Sequence, residues 1–339
     1  MSKQKFTFID LFAGIGGFRM GFERLGGECV FSSEIDKYCQ QTYKYNFGDC
    51  PDGDITQKNA NNIPDHDILL GGFPCQAFSI AGRKGGFEDT RGTLFFDVAR
   101  IINQKRPKAF LLENVKGLAS HDKGKTLRVI LNTLRDDLGY YVPGPEIIDA
   151  KNFGVPQRRE RIFIVGFRND IKGSEFIYPE SLNNHMTFGD IKEENPVSSK
   201  YYLSEKYLET LRNHKSRHES KGNGFGYAII SDDEIANAIV VGGMGRERNL
   251  VIDHRLTDFT PVTNIKGKIN REGIRRMTPR EWARLQGYPD SFKIQVSDTQ
   301  AYKQFGNSVA IPVIEEIGKN ILSLLNNSDV EKDIKTTII

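Results

Sequence analysis

Short β-branched, apolar runs alternate with longer amphipathic stretches through the first half of the chain. Phe6–Leu11 is the first run, closed by Phe12-Ala13-Gly14-Ile15-Gly16-Gly17 and followed by a helical stretch through Arg24. Cys29–Ser33 is the next and ends at Glu34, and Asp67–Leu70, Lys108–Leu112 and Arg161–Phe167 are further runs of strand length. Helices are predicted around Thr93–Asn103 and Thr126–Asp137. This order of elements reads as a parallel sheet covered by helices. Ligands on such sheets bind beyond the carboxyl ends of the strands, so the residues just after each run matter most.

Past about Tyr178 the rhythm changes. Asn, Gly, Ser and charged residues dominate, and apolar runs such as Tyr227–Ile230 and Ala238–Val241 are short and interrupted, as in a smaller, loop-rich domain. Ala310–Leu325 regains helical spacing, with Ile311, Ile314, Ile317, Ile321 and Leu324 on one face, as in a segment that returns to complete the first domain. The last dozen residues are predicted to fray. The resulting division is 1–180 for the catalytic and cofactor domain, 181–297 for the small domain, 298–326 for the return segment and 327–339 for a tail.

Composition narrows the class. A length of 339 residues is enough for about two domains. Hydrophobic residues at 38% supply their cores, while a mean hydropathy of −0.46 fits a soluble chain. No apolar stretch approaches the roughly 18 residues of a membrane span. Asp10 and the glycines after it stand where a signal peptide needs an unbroken apolar core. The four cysteines lack metal-site spacing, which argues against a disulfide scaffold or a metal site and places the chain in a reducing cytoplasm. Secreted, membrane and disordered classes are thereby excluded. The formal charge is only +3, but Pro196–Arg276 holds 14 Lys and Arg against 10 Asp and Glu. A partner carrying phosphates is one reading of that surplus and a solvated surface is the other.

Several strand ends carry candidate chemistry. Gly14, Gly16 and Gly17 form a strand-to-helix turn, and Glu34 follows about one βα unit later, where a carboxylate can hold ribose hydroxyls. A dinucleotide site needs glycine where Arg19 stands, so a nucleoside ligand without a pyrophosphate fits better; a purely structural turn is the alternative. Asp54 could accept from an adenine amino group or be an ordinary turn acid. Cys75, in Gly71-Gly72-Phe73-Pro74-Cys75-Gln76, sits on a proline-fixed turn after a buried run, more like a nucleophile than a core thiol. Glu113 ends the next run at a depth where desolvation favours a proton-donating carboxyl, with a capping or salt-bridge role as the alternative. Gln157-Arg158-Arg159-Glu160-Arg161 places cations just before another strand.

Taken together, these segments resemble the cytosine-C5 DNA methyltransferases of bacterial restriction–modification systems. The matching strings are Phe8–Gly17, Gly53-Asp54-Ile55, Gly72–Gln76, Phe110–Val115, Gln157–Arg161, Arg276–Glu281 and Tyr302–Val309. They occur in the family's order and span the chain except roughly residues 180–273. The resemblance implies an α/β, Rossmann-like S-adenosylmethionine-dependent methyltransferase domain with a smaller, loop-rich target-recognition domain.

It also implies roles. The Cys75 thiolate would add to C6 of a cytosine swung out of the duplex, making C5 nucleophilic. Glu113 would hold or protonate N3, Arg161 would contact O2, and Arg159 would help position the thiolate. Phe12, Ala13, Gly14, Ile15 and Gly17 would surround S-adenosylmethionine, with Glu34 on the ribose and Asp54 on the adenine amino group beside Ile55. Leu94, Asn307 and Ser308 would line the same pocket. Ile35 departs from the family, where an aromatic often stacks on the adenine. Gln76–Gly92 resembles a mobile loop that closes over DNA, which makes Gln76, Ser79, Arg83 and Lys84 DNA contacts. In the variable segment, Lys221, Asn223, Arg246 and Arg248 are the candidate DNA-binding residues. The string Gly222–Tyr227 resembles target-recognition segments of relatives acting on CC…GG sites.

The expected activity is therefore methyl transfer from S-adenosylmethionine to C5 of a cytosine in a specific duplex sequence, by a cytoplasmic monomer with no metal. A companion endonuclease would act on the same site without a stable complex. A tRNA cytosine methyltransferase, a catalytically silent DNA-binding regulator and, more distantly, an NAD oxidoreductase are the competing readings.

Overall fold

The structure, a computed structural model, describes residues 5–74, 94–171, 175–224, 226–242, 245–262 and 267–337, with 328–337 described as backbone alone. The chain forms two units. One takes in the chain up to Asp149, then Glu160–Ser181, then Ile311 onward; the other takes in Ala150–Arg159 and Leu182–Ala310.

Elements are numbered along the chain. The first unit carries β1 (Thr7–Leu11), α1 (Gly17–Arg24), β2 (Glu28–Ser33), α2 (Lys37–Phe47), β3 (Ile68–Gly72), α3 (Leu94–Lys105) and β4 (Ala109–Val115). It continues with α4 (Lys125–Asn132), β5 (Tyr140–Tyr141), β6 (Glu146–Asp149), β8 (Glu160–Arg168) and α9 (Ile311–Thr337). These strands form one sheet in the order β2-β1-β3-β4-β8-β5, with β6 also on β8. β2, β1, β3 and β4 run parallel, and β8 runs antiparallel to β4. The chain moves from β1 outward to β2 and then crosses to β3 on the other side. That reversal opens a crevice at the carboxyl ends of these strands.

The predicted strands appear where the apolar runs stand, because Phe8, Ile9 and Leu11, Ile68–Leu70 and Ala109–Leu112 are all buried, as a strand covered on both faces requires. α9 packs on α1 through small residues: a Cβ at Gly21 would stand 2.9 Å from Ile314, and one at Gly318 would stand 2.6 Å from Leu25. Ile311, Ile314, Ile317, Ile321 and Leu324 form the buried face that the sequence predicts, and the helix continues to Thr337 where fraying is expected.

The second unit carries β7 (Gln157–Arg158), α5 (Phe188–Ile191), α6 (Glu205–Glu219), β9 (Ile229–Ile230), β10 (Ala236–Asn237), β11 (Leu250–Ile252), β12 (Ile274–Arg276), α7 (Pro279–Leu285) and α8 (Asp298–Asn307). β11 lies between β12 and β9, and β10 pairs with β7. Leu203, Leu208, Leu211, Leu250 and Ile274 form a small core under α6. α7 starts at a capping box in which Thr278 and Glu281 satisfy each other's backbone amides, with Pro279 at the first turn.

Ala238–Val241 is not a strand; pairing stops at Asn237, and the next backbone is held by side chains instead. The Ile239 amide donates to Gln157 Oε1 at 3.0 Å and its carbonyl accepts from Arg159 Nη1 at 3.1 Å, while Val240 and Val241 stay exposed.

Candidate active site

At the end of β1 the chain turns through three left-handed residues, Phe12 (φ 58°), Gly14 (φ 56°) and Gly16 (φ 82°), before α1 begins. The conformation is free for glycine but costly for Phe12, and such strain concentrates where a ligand must be approached by backbone. Gly16 has a packing reason too, since a Cβ there would stand 2.3 Å from the Phe47 ring.

Glu34, just past β2, closes the turn: its Oε2 accepts from the Gly14 amide at 2.8 Å and its Oε1 from the Asp36 amide at 2.7 Å. Each oxygen keeps further lone-pair capacity for hydroxyl donors. Beside it, Ile35 is 71% exposed, an apolar side chain left open to a flat ligand. The Glu34 amide donates to Asp52 O at 2.8 Å, which holds the Gly53-Asp54-Ile55 turn alongside. Asp54 caps that turn through Thr56 N at 2.9 Å, Ile55 is buried, and Arg100 of α3 reaches the Ile55 carbonyl at 3.2 Å. Leu94 begins the same helix. Gly14, Glu34 and Asp54, read from separate motifs, thus share one end of the sheet.

Beneath the turn lies Asp10, wholly buried on β1. Burial pushes its carboxyl up to about 8, against the smaller opposing effect of the Arg19 amide, which donates to Oδ2 at 3.3 Å. Its Oδ1 has no hydrogen-bond partner among the described residues. Arg19 is bound to Glu23, Asp49 and the Tyr43 hydroxyl, a structural role at the position where a dinucleotide fold would need glycine.

Two strands away, Glu113 is aligned with Gly72 on β3 and Phe163 on β8. Its Oε1 lies 3.0 Å from Arg161 Nε, with the two side chains 12% and 17% exposed. Gly72 leaves room there, since a Cβ on it would stand 3.6 Å from Glu113 Oε2. Asn114, which sequence reasoning passed over, points to the other face of β4. Its Nδ2 donates to Phe73 O and its Oδ1 accepts from Val115 N, both at 2.8 Å, tying the strand that carries the acid to the turn that enters Pro74. Cys75, Gln76, Ser79, Arg83 and Lys84 lie outside the described residues.

In the second unit, buried Arg159 binds backbone carbonyls: Nη1 to Ile239, and Nη2 to Gly306 at 3.1 Å and Ser308 at 2.6 Å. Exposed Asn307 ends α8, and Ser308 Oγ is 2.7 Å from the Tyr288 hydroxyl. Lys221, Asn223 and Arg248 are exposed, whereas Arg246 is half-buried over the ring of Tyr302. A network absent from the sequence reading anchors this unit. Arg275 is wholly buried, with Nε 3.0 Å from Asp253 and both terminal nitrogens 2.8 Å from Glu281, while Arg255 also grips Asp253. Burial pushes the Asp253 carboxyl up, but the two guanidiniums prevail and hold it well below the usual range.

The family model of C-5 cytosine-specific DNA methylases matches residues 6–323. Type II methyltransferase M.HpaII of Haemophilus parainfluenzae is 69% identical over 96% of this chain and 91% of its own length. Type II methyltransferase M.HhaI of Haemophilus parahaemolyticus is 43% identical over 94% and 95%. Among solved structures, a Spodoptera frugiperda DNMT2 variant superposes with a TM-score of 0.70 at 22% identity, covering 94% of this chain and 99% of that one. That last likeness is one of fold.

Proposed function

The chain belongs to the C-5 cytosine-specific DNA methylase family, and from that premise we propose how its residues divide the work of methylating cytosine at C5 in a specific DNA sequence. The observation that carries the reading is the Glu113–Arg161 pair at the end of β4, opposite Gly72 and tied through Asn114 to the turn before Cys75.

Carbon 5 of cytosine is too weak a nucleophile to take a methyl group unaided. The Cys75 thiolate adds to C6, and Glu113, held by Arg161, gives a proton to N3 as the ring's electrons shift toward C5. Arg161 keeps guanidinium donors for the base oxygen. Once C5 carries the methyl group, its remaining proton passes to water, reformation of the 5,6 double bond expels Cys75 as a thiolate, and the N3 proton returns to Glu113. The base must leave the helix for any of this, since a stacked ring exposes neither face.

The pocket at Gly14, Glu34, Ile35 and Asp54 fits S-adenosylmethionine: hydroxyl-accepting oxygens on Glu34, an exposed apolar side chain beside it, and a strained backbone turn with no side chain at Gly14. When bound, that cofactor supplies an electrophilic sulfonium methyl. Phe12, Ala13, Gly14, Ile15 and Gly17 would surround it, Glu34 would take the ribose, Asp54 and Ile55 the adenine edge, and Leu94 would close the lining within this unit. The first unit carries cofactor and chemistry, with Gln76, Ser79, Arg83 and Lys84 as DNA contacts, and the second reads DNA through Lys221, Asn223, Arg246 and Arg248. The protein works as a cytoplasmic monomer; no helix of the described residues is long and apolar enough to cross a membrane. A companion endonuclease shares its site.

The test is incubation with tritiated S-adenosylmethionine and unmethylated duplex DNA, with tRNA in parallel, followed by digestion to nucleosides. Label in 5-methyldeoxycytidine from the duplex supports the reading. Label confined to tRNA, or to another base, refutes it.

A further inference from the structure

Most arginines around the small sheet of the second unit are consumed. Arg275 is bound by Asp253 and Glu281, Arg276 by Glu247, Arg255 by Asp253, Arg212 by Glu272 and Arg284 by Asp290. Arg246 differs. Its guanidinium carbon lies 5.5 Å from the centroid of the Tyr302 ring, and no carboxylate reaches it among the described residues.

The ring it meets is fixed. Tyr302 is buried on α8, its hydroxyl donates to Met277 O at 2.5 Å, and Trp282 packs against it edge-on with centroids 4.8 Å apart. The residue before Arg246 is constrained too: the Gly245 amide donates to Gly242 O at 3.1 Å, and a Cβ on Gly245 would stand 2.3 Å from the Val240 carbonyl, so only glycine fits at 245. Space lies on both sides: a cavity of about 460 Å³ with Tyr201, Tyr207 and Arg276 on its walls, and one of about 280 Å³ with Val241, Gly242 and Lys303 on its walls, share Arg246, Thr299 and Tyr302.

A guanidinium resting on an aromatic ring uses its face and leaves its N–H edge free. That edge matches the O6 and N7 acceptors of guanine in the major groove, and holding it in place beforehand removes the entropy cost of ordering a long side chain on binding. We infer that Arg246 reads a guanine of the recognition sequence and that Tyr302 is the positioning residue that presents it. The inference rests on the DNA methyltransferase reading and adds to it the base, the edge and the platform.

The experiment offers an unmethylated plasmid library with randomised hexamers to the full-length protein and reads the methylated contexts by bisulfite sequencing. The unsubstituted enzyme marks one context. Arg246→Lys and Arg246→Ala are expected to relax preference at a single guanine position and to lower the rate on the original context by about ten- to a hundredfold. Tyr302→Phe, which keeps the ring, retains the original profile, whereas Tyr302→Leu reproduces the relaxation of Arg246→Lys. A profile and rate for Arg246→Ala within threefold of the unsubstituted enzyme overturns the inference. So does a loss uniform over all contexts with a shallower salt dependence, the signature of a phosphate contact. A sharp profile for Tyr302→Leu overturns the role of the platform. If the unsubstituted enzyme marks no cytosine in the library, the methyltransferase reading fails instead.

Discussion

Arg161 Nε lies 3.0 Å from Glu113 Oε1, diagonally across the antiparallel β4–β8 ladder, where Arg161 is opposite Val115 and Glu113 opposite Phe163. Cross-strand geometry therefore aims the acid, because both side chains leave the same face of the sheet. Glu113→Gln keeps the shape and loses the transferable proton, so single-turnover methyl transfer should slow by about 10²- to 10⁴-fold. S-adenosylmethionine affinity, measured by titration calorimetry, should stay within threefold. An equal loss of cofactor binding would assign Glu113 to folding rather than chemistry.

Glu34 bonds the Gly14 and Asp36 amides from its two oxygens. Glu34→Ala removes both the hydroxyl acceptor and the tie across the turn, and cofactor binding should weaken by about ten- to a hundredfold, equivalent to one or two charge-assisted hydrogen bonds. Equilibrium dialysis with labelled cofactor measures this; an unchanged constant removes Glu34 from the pocket.

Asp10 gives a pH dependence with a definite sign. Its carboxyl titrates near 8 in the folded chain against an ordinary value of 3.8, so between these values the native state keeps a proton that the unfolded state has lost. Its contribution is fully present below about pH 4 and is lost as pH rises through 8. The melting temperature of the protein relative to Asp10→Asn should therefore fall from pH 5 to 8 and level off above. A difference that is flat over that range contradicts the assignment.

These three sites differ in how far the chain announces them. The positions of Glu34 and Glu113 at the carboxyl ends of strands were legible because each follows an apolar run. Helix α2 was missed although Asp36 caps it through the Tyr38 and Cys39 amides, because it buries only Thr42 and Tyr43 and carries no regular apolar stripe. Helix α6 hid for a similar reason, burying little beyond Leu208 and Leu211. Arg246 was read with Arg248 as a DNA contact on a glycine-supported loop, but the ring beneath it comes from a distant helix and leaves no local pattern. Arg275, Asp253 and Glu281 read singly as surface charges; only the fold brings them together in the dark of the core.

That network lies buried in the second unit. Arg275→Met would leave Asp253 and Glu281 buried with too little compensation, and removing one member of such a set costs about 3–5 kcal/mol. Chemical denaturation should show that loss, while the exposed pair Arg212–Glu272 should contribute at most about 1 kcal/mol when either member is replaced by alanine. Similar costs for the two sites would contradict the burial argument.

The account depends most on a sulfur–carbon bond formed at Cys75. The direct measurement is denaturing electrophoresis after incubation with S-adenosylmethionine and a duplex synthesised with 5-fluorocytosine in place of every cytosine, where the fluorine cannot leave as a proton does. The account predicts a protein–DNA band that survives detergent and heat and that Cys75→Ala abolishes. Turnover of the unfluorinated duplex with no such band, or a band of equal strength with Cys75→Ala, would contradict it.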